Sequence, residues 1–154
     1  MKKILVIDDE QDLCYLVKRT LERAGDYEVV TTSIPEDVLH LCSQEKPDLV
    51  LLDIVMPDVD GRDILKEIRE SPETGDPLVI VTSGLGEMVY DKDQDKWNWM
   101  PNQPVVHERG DVIKERSAER AAKAYGADDF LAKPFSPGTL LRVVKEVFLR
   151  PSKP

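Results

Sequence analysis

Four sets of residues in this chain have the types needed for chemistry on phosphorus: the acidic run Asp8-Asp9-Glu10, then Asp53, Thr82 and Lys133. Each follows a short apolar run, so each is placed at the end of a buried strand. Parallel strands deliver such end residues to one edge of a sheet, where open α/β folds hold their ligands. Carboxylates a few ångströms apart repel by roughly 4 kcal/mol per pair at an effective dielectric of about 20, so they must share a proton or hold a cation. Oxygen ligands with open positions favour Mg²⁺, which keeps waters and bridges to phosphoryl oxygens. A carboxylate that attacks phosphorus forms an acyl phosphate, and the charges need screening by metal and a fixed ammonium. In that chemistry Asp53 is the nucleophile and Lys133 the ammonium. Thr82 donates a hydroxyl hydrogen bond to a phosphoryl oxygen, which Val could not do.

The elements that would position these groups can be read in order. Ile4-Leu5-Val6-Ile7 is a continuous apolar run ending at Asp8, as expected of a strand buried on both faces. Leu13, Leu16, Val17, Thr20, Leu21 and Ala24 repeat at helical spacing, and Gly25 ends that helix. Tyr27 to Thr32 is a second strand, and Pro35 opens a helix whose apolar side carries Val38, Leu39, Leu41 and Cys42. Leu49 to Leu52 is the third strand. After Asp53, Pro57 and Gly61 turn the chain tightly into a helix bearing Ile64, Leu65 and Ile68. Turn residues from Ser71 to Pro77 precede a fourth strand, Leu78 to Ser83. A helix from Glu115 to Tyr125, a fifth strand at Asp129 to Ala132 and a last helix with Leu140, Leu141, Val144, Val147 and Phe148 complete the series. Strands alternating with helices predict an α/β fold, a doubly wound five-stranded parallel sheet.

Residues 84–114 interrupt this pattern. They show no steady period, contain Trp97, Trp99, Pro101 and Pro104, and far exceed the roughly 2–6 residues expected between a strand and its helix. An insertion of roughly thirty residues after the fourth strand is therefore expected, either shielding the site, presenting tryptophans to a partner or packing on the domain's own flank.

A length of 154 residues suits one domain, here residues 1–150 with 151–154 as a tail. The net charge of -9 argues against direct DNA or other nucleic-acid binding. No stretch reaches the length of a signal peptide or membrane span, so a cytoplasmic protein without membrane contact is expected. Cys14 and Cys42 lack CxxC spacing and read as reduced core thiols.

Val6-Ile7-Asp8-Asp9-Glu10, the loop from Asp53 to Gly61, Thr82-Ser83 and the run from Gly126 to Phe135 together resemble the receiver domain of two-component response regulators. The resemblance covers nearly all of the chain outside the insertion. It implies strand order 2-1-3-4-5, Asp53 as phospho-acceptor, and Mg²⁺ held by Asp9, Asp53 and the backbone carbonyl of Val55, with Asp8 acting through water. It also implies contacts from Thr82 and Lys133 to the phosphoryl group, Phe130 as an aromatic switch, and a cis peptide at Lys133-Pro134. The donor would be a phosphohistidine on a sensor histidine kinase or histidine phosphotransfer protein. Neither His40 nor His107 belongs to the motif set. Such a chain catalyses only its own phosphorylation and dephosphorylation, acts as a monomer or weak dimer, and passes its signal to a downstream protein target, there being no expected effector domain. Two alternatives stand beside this reading. A haloacid-dehalogenase-like phosphatase needs Asp-x-Asp after the first strand, where Glu10 replaces the second Asp, and a phosphorylation-independent scaffold would not require the full residue set.

Overall fold

The apolar runs form strands and the amphipathic segments form helices. In chain order they are β1 (Lys2–Ile7), α1 (Gln11–Arg23), β2 (Tyr27–Thr32), α2 (Val38–Glu45), β3 (Leu49–Asp53), α3 (Gly61–Glu70) and β4 (Leu78–Ser83). There follow β5 (Gly86–Asp91), β6 (Lys96–Pro101), β7 (Val105–Val106), β8 (Val112–Ile113), β9 (Asp129–Ala132) and α4 (Pro137–Leu149). The structure is a computed structural model that describes residues 1–56, 59–84, 86–94, 96–101, 105–106, 112–113, 124 and 126–151. The helix expected from Glu115 to Tyr125 lies outside the described residues apart from Ala124, which is helical.

Five strands pair in parallel in the order β2-β1-β3-β4-β9, so the fifth strand of the expected 2-1-3-4-5 order is β9. Side chains alternate across the sheet and build two apolar layers. Leu5, Val50, Leu52, Val79 and Val81 pack with Val38 and Cys42 of α2 and Ile64, Leu65 and Ile68 of α3. On the other face Ile4, Val6, Leu49, Leu51 and Ile80 meet Leu13, Val17 and Leu21 of α1 and Leu140, Val144 and Val147 of α4. Burial on both faces explains why β1, β3 and β4 read as unbroken apolar runs. Gly25 has φ of +88° just past α1, the left-handed conformation expected of a helix-ending glycine. Cys14 and Cys42 are free and buried, and burial first of all raises their thiols to about 12 and about 11.

Arg69, at the last turn of α3, ties three connections together at the opposite edge from the acidic residues. Its Nε and Nη2 donate to the Gly126 carbonyl at 3.0 and 2.9 Å, its Nη1 donates to the Pro77 carbonyl at 2.6 Å, and Nη2 reaches Asp128 Oδ2 at 3.0 Å. Asp128 also accepts from the Val79 N–H at 2.9 Å. Arg69→Ala should lower unfolding stability by about 2–3 kcal/mol, because two carbonyls and a carboxylate lose their charged donor. Urea denaturation measures this, and an unchanged midpoint would mean water replaces the guanidinium at no cost.

The described residues between 84 and 114 are more regular than their sequence suggests. β5 and β6 form an antiparallel hairpin in which Met88 lies opposite Trp99 and Tyr90 opposite Trp97, and β7 pairs antiparallel with β8. Backbone pairing across the Asp91-to-Lys96 turn organises this segment without a glycine in the turn. Among the described residues, no helix is long and apolar enough to cross a membrane.

Candidate functional site

Asp53 is the last residue of β3 and is only 2% exposed. Its Oδ1 accepts the Val55 N–H at 3.0 Å, which holds the carboxylate against its own loop. The loop is closed by a bridge between Val55 and Asp60 and by the Gly61 N–H donating to the Ile54 carbonyl at 3.1 Å. Pro57 and Asp58 lie outside the described residues. Asp60 then caps α3 by accepting from the Arg62 N–H at 2.9 Å, and the Arg62 guanidinium grips the same carboxylate at 2.8 and 2.6 Å. At Gly61 a Cβ would stand 2.4 Å from Ile54 Cα and 2.5 Å from the Asp53 carbonyl oxygen, so only glycine permits this approach.

Asp8 ends the strand beside β3. Its Oδ1 accepts the Glu10 N–H at 2.9 Å, and its Oδ2 accepts from Lys133 Nζ at 2.6 Å. The same ammonium stands 3.3 Å from Asp53 Oδ2. Lys133 is set by β9, whose continuation donates the Lys133 N–H to the Ser83 carbonyl at 2.7 Å, and the Lys133-Pro134 peptide is cis. Thr82 is buried and is the register partner of Asp53. Asp8, Asp9 and Asp53 each offer an oxygen within 4.8 Å of the others, Asp9 being the exposed member. All five residues read from sequence as chemical groups thus meet at one edge of the sheet. Phe130 is half-buried against the α2 and α3 layer, with Val81 as its register partner. A small cavity lined by Asp8, Leu13, Val17, Thr82 and Phe135 brings α1 to the side of this edge.

Two features of the site's surroundings are not read from the sequence. The Asp60–Arg62 pair fixes where α3 begins, and Asp60 followed by a helix is in fact an N-cap pattern. The position of β5 alongside α1 had no signal in the spacing.

The electrostatics follow from burial. Asp53 is raised well above the usual carboxylate range by loss of solvent, with Lys133 opposing and Asp8 and Asp9 reinforcing. Asp9, although its side chain reaches solvent, is raised by partial desolvation among its neighbours and by the charge of Asp8. Burial alone would lower the Lys133 ammonium, but Asp53 and Asp8 outweigh it and the net shift is upward. A carboxyl with a raised folded pKa contributes stability that is full below its unfolded value of about 3.9 and is lost as pH rises through the folded value. The metal-free protein should therefore lose stability as pH rises above about 4. Added Mg²⁺ should stabilise it more at pH 8 than at pH 5, because a cation competes with the shared proton. Thermal unfolding with and without Mg²⁺ at both pH values checks this, and an equal metal effect at both would contradict it.

The response regulator receiver domain family matches residues 4–93, more than half of the chain. The chain belongs to that family. Over 149 residues this receiver domain is 33% identical to the alkaline phosphatase synthesis transcriptional regulatory protein PhoP of Bacillus subtilis strain 168, covering 97% of this chain and 49% of that one. Its fold is similar to the signal receiver domain of a response regulator from Bermanella marisrubri, with TM-score 0.71 and 25% identity over 95% of this chain and 97% of that one. It is similar also to response regulator DrrB of Thermotoga maritima, with TM-score 0.66 and 27% identity over 96% of this chain and 52% of that one. The receiver domain spans about half the length of the curated relatives it matches. It is a phospho-acceptor module of two-component signalling, which leaves the phosphatase and scaffold alternatives without support. Receiver domains use Mg²⁺ at an acidic pocket, and Asp8, Asp9 and Asp53 form an acidic cluster in this one.

Proposed function

We propose that Asp53 accepts a phosphoryl group from a phosphohistidine on a partner kinase or phosphotransfer protein, and that the aspartyl phosphate alters a protein-contact face. The observation that carries this is the Lys133 ammonium, 2.6 Å from Asp8 and 3.3 Å from Asp53, beside three carboxylates whose oxygens lie within 4.8 Å. The donor set consists of hard oxygens, which fits Mg²⁺. Asp9, Asp53 and the Val55 carbonyl would hold the ion, with Asp8 acting through water. Bound there, Mg²⁺ would supply charge neutralisation between the carboxylate and the incoming phosphoryl oxygens.

In the transfer, an Asp53 oxygen attacks phosphorus in line with the leaving imidazole. The phosphorus–nitrogen bond breaks with its electron pair on the histidine, which takes a proton from solvent. Lys133, already held charged by its carboxylate neighbours, compensates the added negative charge, and the Thr82 hydroxyl donates to a phosphoryl oxygen. Movement of Thr82 makes room for Phe130 to turn inward, which changes the surface of β9 and α4. One domain over residues 1–150, with 84–114 as its insertion, fits this reading, and the charge of -9 favours a protein over DNA as its direct target.

The test is incubation with acetyl phosphate and Mg²⁺ followed by mass spectrometry. A single added phosphoryl group at Asp53, absent when EDTA is present, is expected. No labelling, or labelling at a different residue, would overturn the assignment.

A further inference from the structure

The β5–β6 hairpin is placed where it can govern the acidic site. Only Gly84 and Leu85 separate β5 from the end of β4, which carries Thr82, the register partner of Asp53. β5 then lies alongside α1. That helix begins directly after Asp8-Asp9-Glu10, and its Leu13 and Val17 line the small cavity shared with Thr82 and Asp8. In the sheet order β3 lies between β1 and β4, so the end of β3, with Asp53, lies between the acidic run that follows β1 and the end of β4. A backbone leaving β4 and coming to rest against α1 therefore runs from the β4 rim of the site to the helix that starts at its β1 rim. Antiparallel pairing from Gly86↔Pro101 to Asp91↔Lys96 makes it a two-stranded ribbon rather than a single loose strand.

We propose that this hairpin is a strap across the mouth of the acidic site that limits the access of water to the aspartyl phosphate. The proposal rests on Asp53 being the phospho-acceptor. The step it slows is hydrolysis. A water oxygen attacks phosphorus, the bond from phosphorus to the Asp53 oxygen breaks with its electron pair returning to the carboxylate, and inorganic phosphate and one proton leave. The attacking water must arrive on the side of phosphorus away from the carboxylate, which is the open side of the site. A ribbon that leaves β4 and rests against α1 would cover that approach, and exclusion of water by a covering segment is a general means of prolonging a reactive intermediate.

The full chain, loaded with acetyl phosphate and Mg²⁺ and then freed of donor, gives the lifetime of the phosphoryl group by intact-mass spectrometry. Replacing residues 86–101 with a short Gly-Ser linker should speed its loss by about tenfold or more. An unchanged lifetime in a folded linker variant would overturn the strap. A second measurement needs no variant. The chain's two tryptophans, Trp97 and Trp99, both lie in β6, so tryptophan emission reports on the hairpin alone. Beryllofluoride with Mg²⁺, an analogue of the phosphoryl group, should change that emission and its quenching by acrylamide, and the absence of any change despite binding would overturn the proposal. Failure of the wild-type chain to take up phosphoryl or to bind beryllofluoride at all would instead remove the acceptor assignment, and the strap with it.

Discussion

Asp53→Asn loses Mg²⁺-dependent labelling by acetyl phosphate, to below about 1% of the wild-type level. The carboxamide keeps the shape of the side chain and can still accept the Val55 N–H, now 3.0 Å from Asp53 Oδ1. What it lacks is the negative oxygen that attacks phosphorus. The variant should fold, and for a physical reason that can be measured. Burial and the neighbouring carboxylates make ionised Asp53 unfavourable in the metal-free protein, so a neutral residue there removes a cost that grows with pH. Metal-free Asp53→Asn should accordingly melt at or above the wild-type temperature at pH 8, and its stability should fall less between pH 5 and pH 8. A variant that melts well below wild type at pH 8 would mean that the pairing with Lys133 outweighs desolvation. Labelling retained at the wild-type level would move the acceptor role to Asp8 or Asp9.

Gly61→Ala has the second largest expected effect, although Gly61 takes no part in the chemistry. Its added methyl group would meet Ile54 Cα and the Asp53 carbonyl oxygen at 2.4 and 2.5 Å, and both are backbone atoms that cannot rotate away. Either α3 moves off the loop or the end of β3 shifts. The first loses packing of Ile64, Leu65 and Ile68, all of them buried. The second displaces the Asp53 carboxylate. A loss of about 3 kcal/mol in unfolding free energy is expected, along with a slower rate of labelling in whatever fraction remains folded. Wild-type denaturation and labelling together would show that the loop relaxes freely. A loss of stability with normal labelling would separate the helix contact from the placement of Asp53.

The sheet was legible because its central strands are covered twice. Ile4 to Ile7, Leu49 to Leu52 and Leu78 to Val81 carry no polar residue, and burial on both faces leaves none to be expected. Their polar punctuation then marks the strand ends, which is why the sequence alone groups Asp8, Asp53 and Thr82. Lys133 was legible through the short strand before it. The hairpin was not, although Trp97-Asn98-Trp99 does alternate with a period of two. Alternation over so few residues is weak, Pro101 and Pro104 argue against a strand, and the Asp91-to-Lys96 turn has no glycine to mark it. The closeness of β5 to α1 is a tertiary fact that no local pattern carries. The same holds for Arg69, whose partners Gly126 and Asp128 stand 57 and 59 residues away, so a charged residue near a helix end looks like an ordinary solvated face. Val55 as a metal ligand through its carbonyl rests on the family alone.

Asp8 and Lys133 are 125 residues apart in the chain yet share a hydrogen bond of 2.6 Å. During synthesis the ribosome releases the acidic residues early and the ammonium late. A nascent chain that has emitted only β1 through β4 thus carries Asp8 and Asp53 without their shared counter-charge, and the ion pairs with Lys133 form only when β9 has left the exit tunnel and joined the sheet.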